Sequence, residues 1–181
     1  MKSLTMSQGG GGNRYLDRAS KVTYRKATKY FTAVAAEILL DGFHWEQDRA
    51  IDFLERFYDQ YVAMHQSYLM IQDYAPTLWD EYHYAVELRN KAEKKDATPV
   101  AALGQRMTDT AVLWVVQVMA LTLLDKFGWD TTAVTRFMRN IDEAIPKFID
   151  GGGDYEARIQ KLREKYGLDI HKHVKMGGET L

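Results

Sequence analysis

A 181-residue chain that is 46% apolar, with only three prolines, is long and apolar enough to bury a full core, which excludes wholesale disorder. It has no cysteine, so disulfides and thiolate chemistry are excluded, and a reducing cytosol is the setting that suits it. The net charge of −1 conceals a dipole along the sequence: residues 1–30 carry seven Lys or Arg against one Asp, whereas residues 31–181 carry 17 against 24.

Taken in order, residues 1–12 end in four glycines that cannot support a packed element, and they read as a flexible leader without the apolar region of a secretory signal. Asn13 is placed to cap a helix from about Arg14 to Asp41, stopped by Gly42. Within it Arg14, Arg18, Lys21, Arg25 and Lys29 step by three or four residues, so they fall in one stripe, with Lys26 beside it. An ordinary surface helix mixes signs to gain i,i+4 pairs, and here only Asp17 offers one. The stripe therefore reads as a surface for phosphates or for an acidic protein groove; a plain solvated face is the alternative. From Thr32 the same helix turns apolar.

A turn at Gly42 to Trp45 leads into a second helix, Glu46 to His65. Gln66 to Thr77 reads as a loop or broken helix punctuated by Pro76, and a third helix is expected from Thr77 to about Lys95. Asp96, Thr98 and Pro99 form a cap and a first-turn proline for a central helix that runs to about Lys126. Its stretch Ala111 to Leu124, interrupted only by Gln117 and Thr122, is shorter than the roughly 20 residues needed to cross a bilayer, so it reads as a core helix and no membrane association is expected. Asp130 caps the next helix, which Pro146 should kink or end early on its way to Phe148. Gly151, Gly152 and Gly153 lack the strand and the Lys-Ser/Thr of a phosphate loop and read as a joint before a helix from Asp154 to Tyr166, stopped by Gly167. His171 to Leu181 reads as a fraying tail.

The chain repeats itself. Five of the seven residues in Leu39-Leu40-Asp41-Gly42-Phe43-His44-Trp45 recur 84 positions later in Leu123-Leu124-Asp125-Lys126-Phe127-Gly128-Trp129. At the same offset the apolar ladder Ala50, Phe53, Leu54, Phe57, Tyr61 and Met64 meets Val134, Phe137, Met138, Ile141, Ile145 and Phe148, in each case one face of a helix. Leu78 and Tyr82 likewise meet Leu162 and Tyr166. The expected fold is all-α, two tandem three-helix units: residues 13–96 with the basic helix, then residues 97–170, with a tail over 171–181. The Phe and Trp residues of the two turns should staple each turn to its own bundle.

Where the repeat fails, function is the candidate explanation. Tyr68, Tyr74, Trp79 and Tyr84 align with Gly152, Arg158, Arg163 and Leu168, so these rings are spare to the shared bundle and are candidate interface anchors; a larger local core in the first unit is the alternative. Asp142, Glu143, Asp150 and Asp154 make a candidate acidic face able to imitate a phosphate backbone. The fragments Asp41-x-x-His44 and Asp80-x-x-His83 fall short of a di-metal motif, since Gly128 and Gly167 replace the histidines in the second copy. No serine elbow, Walker loop or His-Glu-x-x-His is present, so no enzyme activity, metal or cofactor is expected.

Leu123 to Trp129, then Arg136-Phe137, Tyr155 and the closing Leu162-Arg163-Glu164-Lys165-Tyr166-Gly167-Leu168-Asp169-Ile170 resemble small helical proteins from phages and mobile elements of Gram-positive bacteria, over roughly 60 residues. The first copy departs from that pattern at His44 and His83, where glycines would stand. The resemblance carries no activity over. It implies a protein working in the cytoplasm of a bacterial host, and a cysteine-free, motif-poor helical protein with lopsided charge looks like the anti-CRISPR inhibitors that bind Cas9-type nucleases. Two functions follow as expectations: a non-enzymatic inhibitor that grips such a nuclease through the basic helix, the aromatic anchors and the acidic surface, or a regulator that binds double-stranded DNA through the basic helix.

Overall fold

The computed structural model describes residues 10–66, 74–88 and 99–174, with side chains over 21–63, 76–88 and 102–174. Among the described residues seven α-helices follow one another: α1 (Gly10–Glu37), α2 (Gln47–Gln66), α3 (Tyr74–Tyr82), α4 (Pro99–Phe127), α5 (Thr131–Ile149), α6 (Tyr155–Tyr166) and α7 (Ile170–His173). A π-helical turn, Ile38–Gly42, extends α1. No strand occurs among the described residues, and the fold is all-α.

Most boundaries follow the local chemistry. The Asp130 carboxylate accepts the Ala133 N–H at 2.8 Å and starts α5. Gly167, at φ 65°, stops α6. Elsewhere the structure departs from expectation. α1 begins at Gly10, so Asn13 lies inside the helix, and residues 10–12 of the expected leader are helical. α3 ends at Tyr82 rather than near Lys95 because His83 turns left-handed, at φ 50°. Pro76 sits in the first turn of α3, where its missing N–H is not needed. Pro146 does not end α5, which runs on to Ile149. Placed in the last turn, it removes one helical bond. The first part of the expected tail forms α7, and Ile170 and Val174 are buried where α7 packs on α2. The expected boundary at Asp96 to Thr98 and residues 175–181 lie outside the described residues.

The apolar part of α4 is longer than its sequence suggested: Ala102–Phe127 is long and apolar enough by length and composition to cross a membrane. In this fold it is the central post. α1, α2, α3 and α5 all pack against it, and most of the stretch is buried among them. Its polar interruption at Thr122 is accommodated, with Oγ1 lying 2.8 Å from the Val118 carbonyl and 2.7 Å from Gln60 Oε1. A single apolar cluster includes Phe31, Leu39, Phe53 and Phe57 together with Leu123, Phe137, Ile141 and Leu162.

Four turns share one construction. The N–H of Trp45, Tyr84, Trp129 and Leu168 each reaches the carbonyl six residues back, at 3.0–3.1 Å, over a left-handed residue: His44, His83, Gly128 and Gly167 respectively. In each, the left-handed residue turns the chain back so that it caps a carbonyl the helix leaves behind. The aromatic turns do not each keep to their own unit. Trp45 touches Phe53 and Trp129 touches Phe137, but Phe43 also lies against Trp129, with centroids 4.7 Å apart, and Trp45 against Phe127 at 5.2 Å. Nor does α6 pack mainly beside α4; its larger contact is with α1, while α3 packs on α4.

Candidate interaction surfaces

The contact of α6 with α1 consumes most of the α6 cations. Arg158 pairs with Glu37 and, at 2.8 Å, with Asp154; Lys161 pairs with Glu37 and, at 3.0 Å, with Asp41; Lys165 reaches Asp41 at 2.5 Å. The Tyr166 hydroxyl donates to Asp41, and the Tyr30 hydroxyl to Asp154 at 2.9 Å. Burial pushes the Asp41 carboxyl up, but hydrogen bonds from Lys165, Tyr166 and Lys161 outweigh it and hold the group well below the usual carboxylate range. Burial and the Asp154 carboxylate together push the Tyr30 hydroxyl up to about 12. Gly152 closes the edge of this network, since a Cβ there would come 3.4 Å from the Tyr30 ring.

The amino-terminal half of α1 is the opposite case. Lys21, Arg25 and Lys26 are exposed and Lys29 is half-buried, and among the described residues none of the four lies within 4 Å of a carboxylate. Arg14 and Arg18 lie on the same helix, with side chains outside the described residues. Val22, 47% exposed, sits beside the charged face.

The aromatic candidates divide. Trp79 is 58% exposed on α3, its ring edge-on to His83. Tyr84 is 8% exposed and belongs to the core. It follows the left-handed His83 as the buried Leu168 follows Gly167, and both plug the same kind of turn, so Tyr84 is not a spare anchor. Tyr74 opens α3 and Tyr68 lies outside the described residues. The acidic face is likewise broken up. Glu143 and Asp150 are exposed, but Asp142 is buried and Asp154 is engaged by Tyr30 and Arg158. Asp41 is held by Lys161, Lys165 and Tyr166, and no group of three or more potential metal ligands occurs among the described residues.

One feature has no counterpart among the sequence candidates. A cleft of about 410 Å³ opens between the two aromatic turns and the start of α5, lined by Phe43, Trp45, Trp129, Asp130, Thr132 and Arg136. The Arg136 guanidinium lies over the Phe43 ring at 4.1 Å, and that of Arg49 over the Trp45 ring at 4.3 Å. The signal in the sequence was the pair of Phe-x-Trp turns; that they meet is a tertiary fact. Compared with known family models, curated proteins and solved structures, the chain matches none.

Proposed function

We propose that this is a non-enzymatic binding protein whose main contact surface is the basic face of α1, and that it acts by occupying a bacterial defence nuclease of the Cas9 type. The observation that carries the reading is the contrast between two helices. Arg158, Lys161 and Lys165 on α6 are neutralised within the molecule, whereas Lys21, Arg25, Lys26 and Lys29 on α1 have no internal carboxylate among the described residues. Cations left unpaired along a helix face favour a polyanionic surface, where each phosphate contact releases counterions. Exposed Trp79 is the remaining anchor candidate among the described side chains, and Glu143 and Asp150 are what is left of the acidic surface. The target class comes from the sequence resemblance, and the same face supports a second reading as a double-stranded DNA-binding regulator.

The test is co-purification with a Cas9-type nuclease, with and without guide RNA, run beside binding to duplex DNA over a salt series. Inhibition of target cleavage, lost when Lys21, Arg25 and Lys26 are all changed to Gln, supports the inhibitor. Duplex binding without nuclease binding moves the assignment to the regulator. In that case the triple change should reduce the log–log salt slope by about 2.7, at roughly 0.9 per phosphate contact. An unchanged slope and unchanged nuclease binding would together remove α1 as the contact surface.

We also propose that the scaffold is two copies of one helical triplet. The four left-handed turns fall at corresponding positions in the two halves, and the pairs Phe43–Trp129 and Trp45–Phe127 exchange with each other at the sequence offset of 84. Packing of α6 on α1 and of α3 on α4 supports copies that exchange their third helices.

A further inference from the structure

We propose that the cleft between the two aromatic turns is a nucleotide-binding site, taking an aromatic base together with its phosphate, and that it is separate from the basic face of α1. Three features of the cleft converge on that ligand. The first is ring surface: Trp129 lies 4.7 Å from Phe43 and 5.4 Å from Trp45 between ring centroids, and Phe43 and Trp129 remain partly exposed. A planar base is the body that such a surface stacks.

The second is charge. Arg136 lines the cleft and Arg49 sits at its edge over the lining residue Trp45; both are exposed, and each guanidinium lies over its ring, at 4.1 and 4.3 Å respectively. Neither makes an ion pair or a side-chain hydrogen bond among the described residues. A guanidinium stacked by its face keeps its N–H donors at its edge, the geometry that takes a phosphate or carboxylate in a two-pronged grip. The third is an acceptor. Asp130 uses Oδ1 to cap α5, which leaves Oδ2 for the amino or ring N–H of a base. Inorganic phosphate would leave the rings uncovered. An acidic side chain would place a second carboxylate beside Asp130 with no donor to offer it. A nucleotide meets all three features, and a cleft of about 410 Å³ is of small-ligand size.

The same chemistry is presented by a free nucleotide and by an unpaired residue in a strand. The full chain is therefore titrated with the four ribonucleoside monophosphates, with a fluorescent 12-nucleotide single strand, with the matching duplex and with a Phe-Glu-rich peptide, following tryptophan quenching and anisotropy. Expected is saturable quenching by a monophosphate, by the single strand, or by both. Quenching by monophosphate assigns the site to free nucleotides, and quenching by the strand alone assigns it to an unpaired base. Arg136→Gln and Arg49→Gln, both at exposed positions, should each weaken that binding about tenfold while circular dichroism stays unchanged. The α1 variant with Lys21, Arg25 and Lys26 changed to Gln should keep it, so failure of the α1 assignment and failure of this one are told apart. Absence of quenching by every nucleotide probe, quenching by the acidic peptide instead, or affinity unchanged from the parent protein in both arginine variants would overturn the proposal.

Discussion

His44 and His83 occupy left-handed backbone, at φ 53° and 50°, where the matching positions of the second half carry Gly128 and Gly167. A side chain in that region costs roughly 1–2 kcal/mol, of which glycine's greater freedom in the unfolded chain cancels part. His44→Gly and His83→Gly should therefore each stabilise the protein by about 0.5–1 kcal/mol, read as a higher urea midpoint at unchanged slope. Gly128→Ala should do the reverse by a similar amount, because nothing lies within 4 Å of the added Cβ and the cost is backbone alone. The sequence exposed this correspondence and hid its meaning. It marked the two histidines as departures from a pattern, and only the dihedral angles identify them as residues standing in for glycine. Tyr84 misled for the opposite reason: a ring that the second half replaces with Leu168 looks dispensable until both are found plugging the same turn.

Among the elements, the joint between α1 and α6 is the most heavily charged, and its acid side can be stated with a sign. The Asp41 and Asp154 carboxyls are lowered from the usual 3.8, so the folded state holds their protons less tightly than the unfolded state does. Their contribution is complete above about pH 4 and is lost as the pH falls through the lowered values. Asp41→Asn should lower the melting temperature near pH 7, and the gap to the parent should close as the pH falls towards 2. A gap constant across that range would remove Asp41 from the account. On the alkaline side Tyr30 is raised, so its share is present below pH 10 and lost as the pH climbs towards 12. The elements themselves were largely legible, because caps, glycine stops and 3.6-residue periodicity act within one segment. Their partners were not. Nothing local places Lys161 and Lys165 opposite Asp41, which is why the acidic and basic candidates could not be sorted into spent and available charge beforehand.

At the level of the whole molecule, one core joins both halves, and rings from each turn pack on the other. Thermal unfolding should accordingly be a single transition, with tryptophan fluorescence and far-ultraviolet circular dichroism superimposed. Two separated steps would mean that the halves hold themselves together independently. The charge dipole seen in the sequence survives folding in altered form. The positive end stays outward on the described part of α1, whereas much of the negative excess near α6 is tied up in pairs.

The partnership of α1 with α6 also sets an order of events during synthesis. The residues that clasp Asp41 lie 120 to 125 positions further along the chain. At about 5–20 residues per second, Asp41 waits on the order of 6–25 s before the ribosome delivers the residues that clasp it. α4, the helix α1 packs on most, is made before α6, so the charged clasp closes on a helix whose apolar side already has a partner.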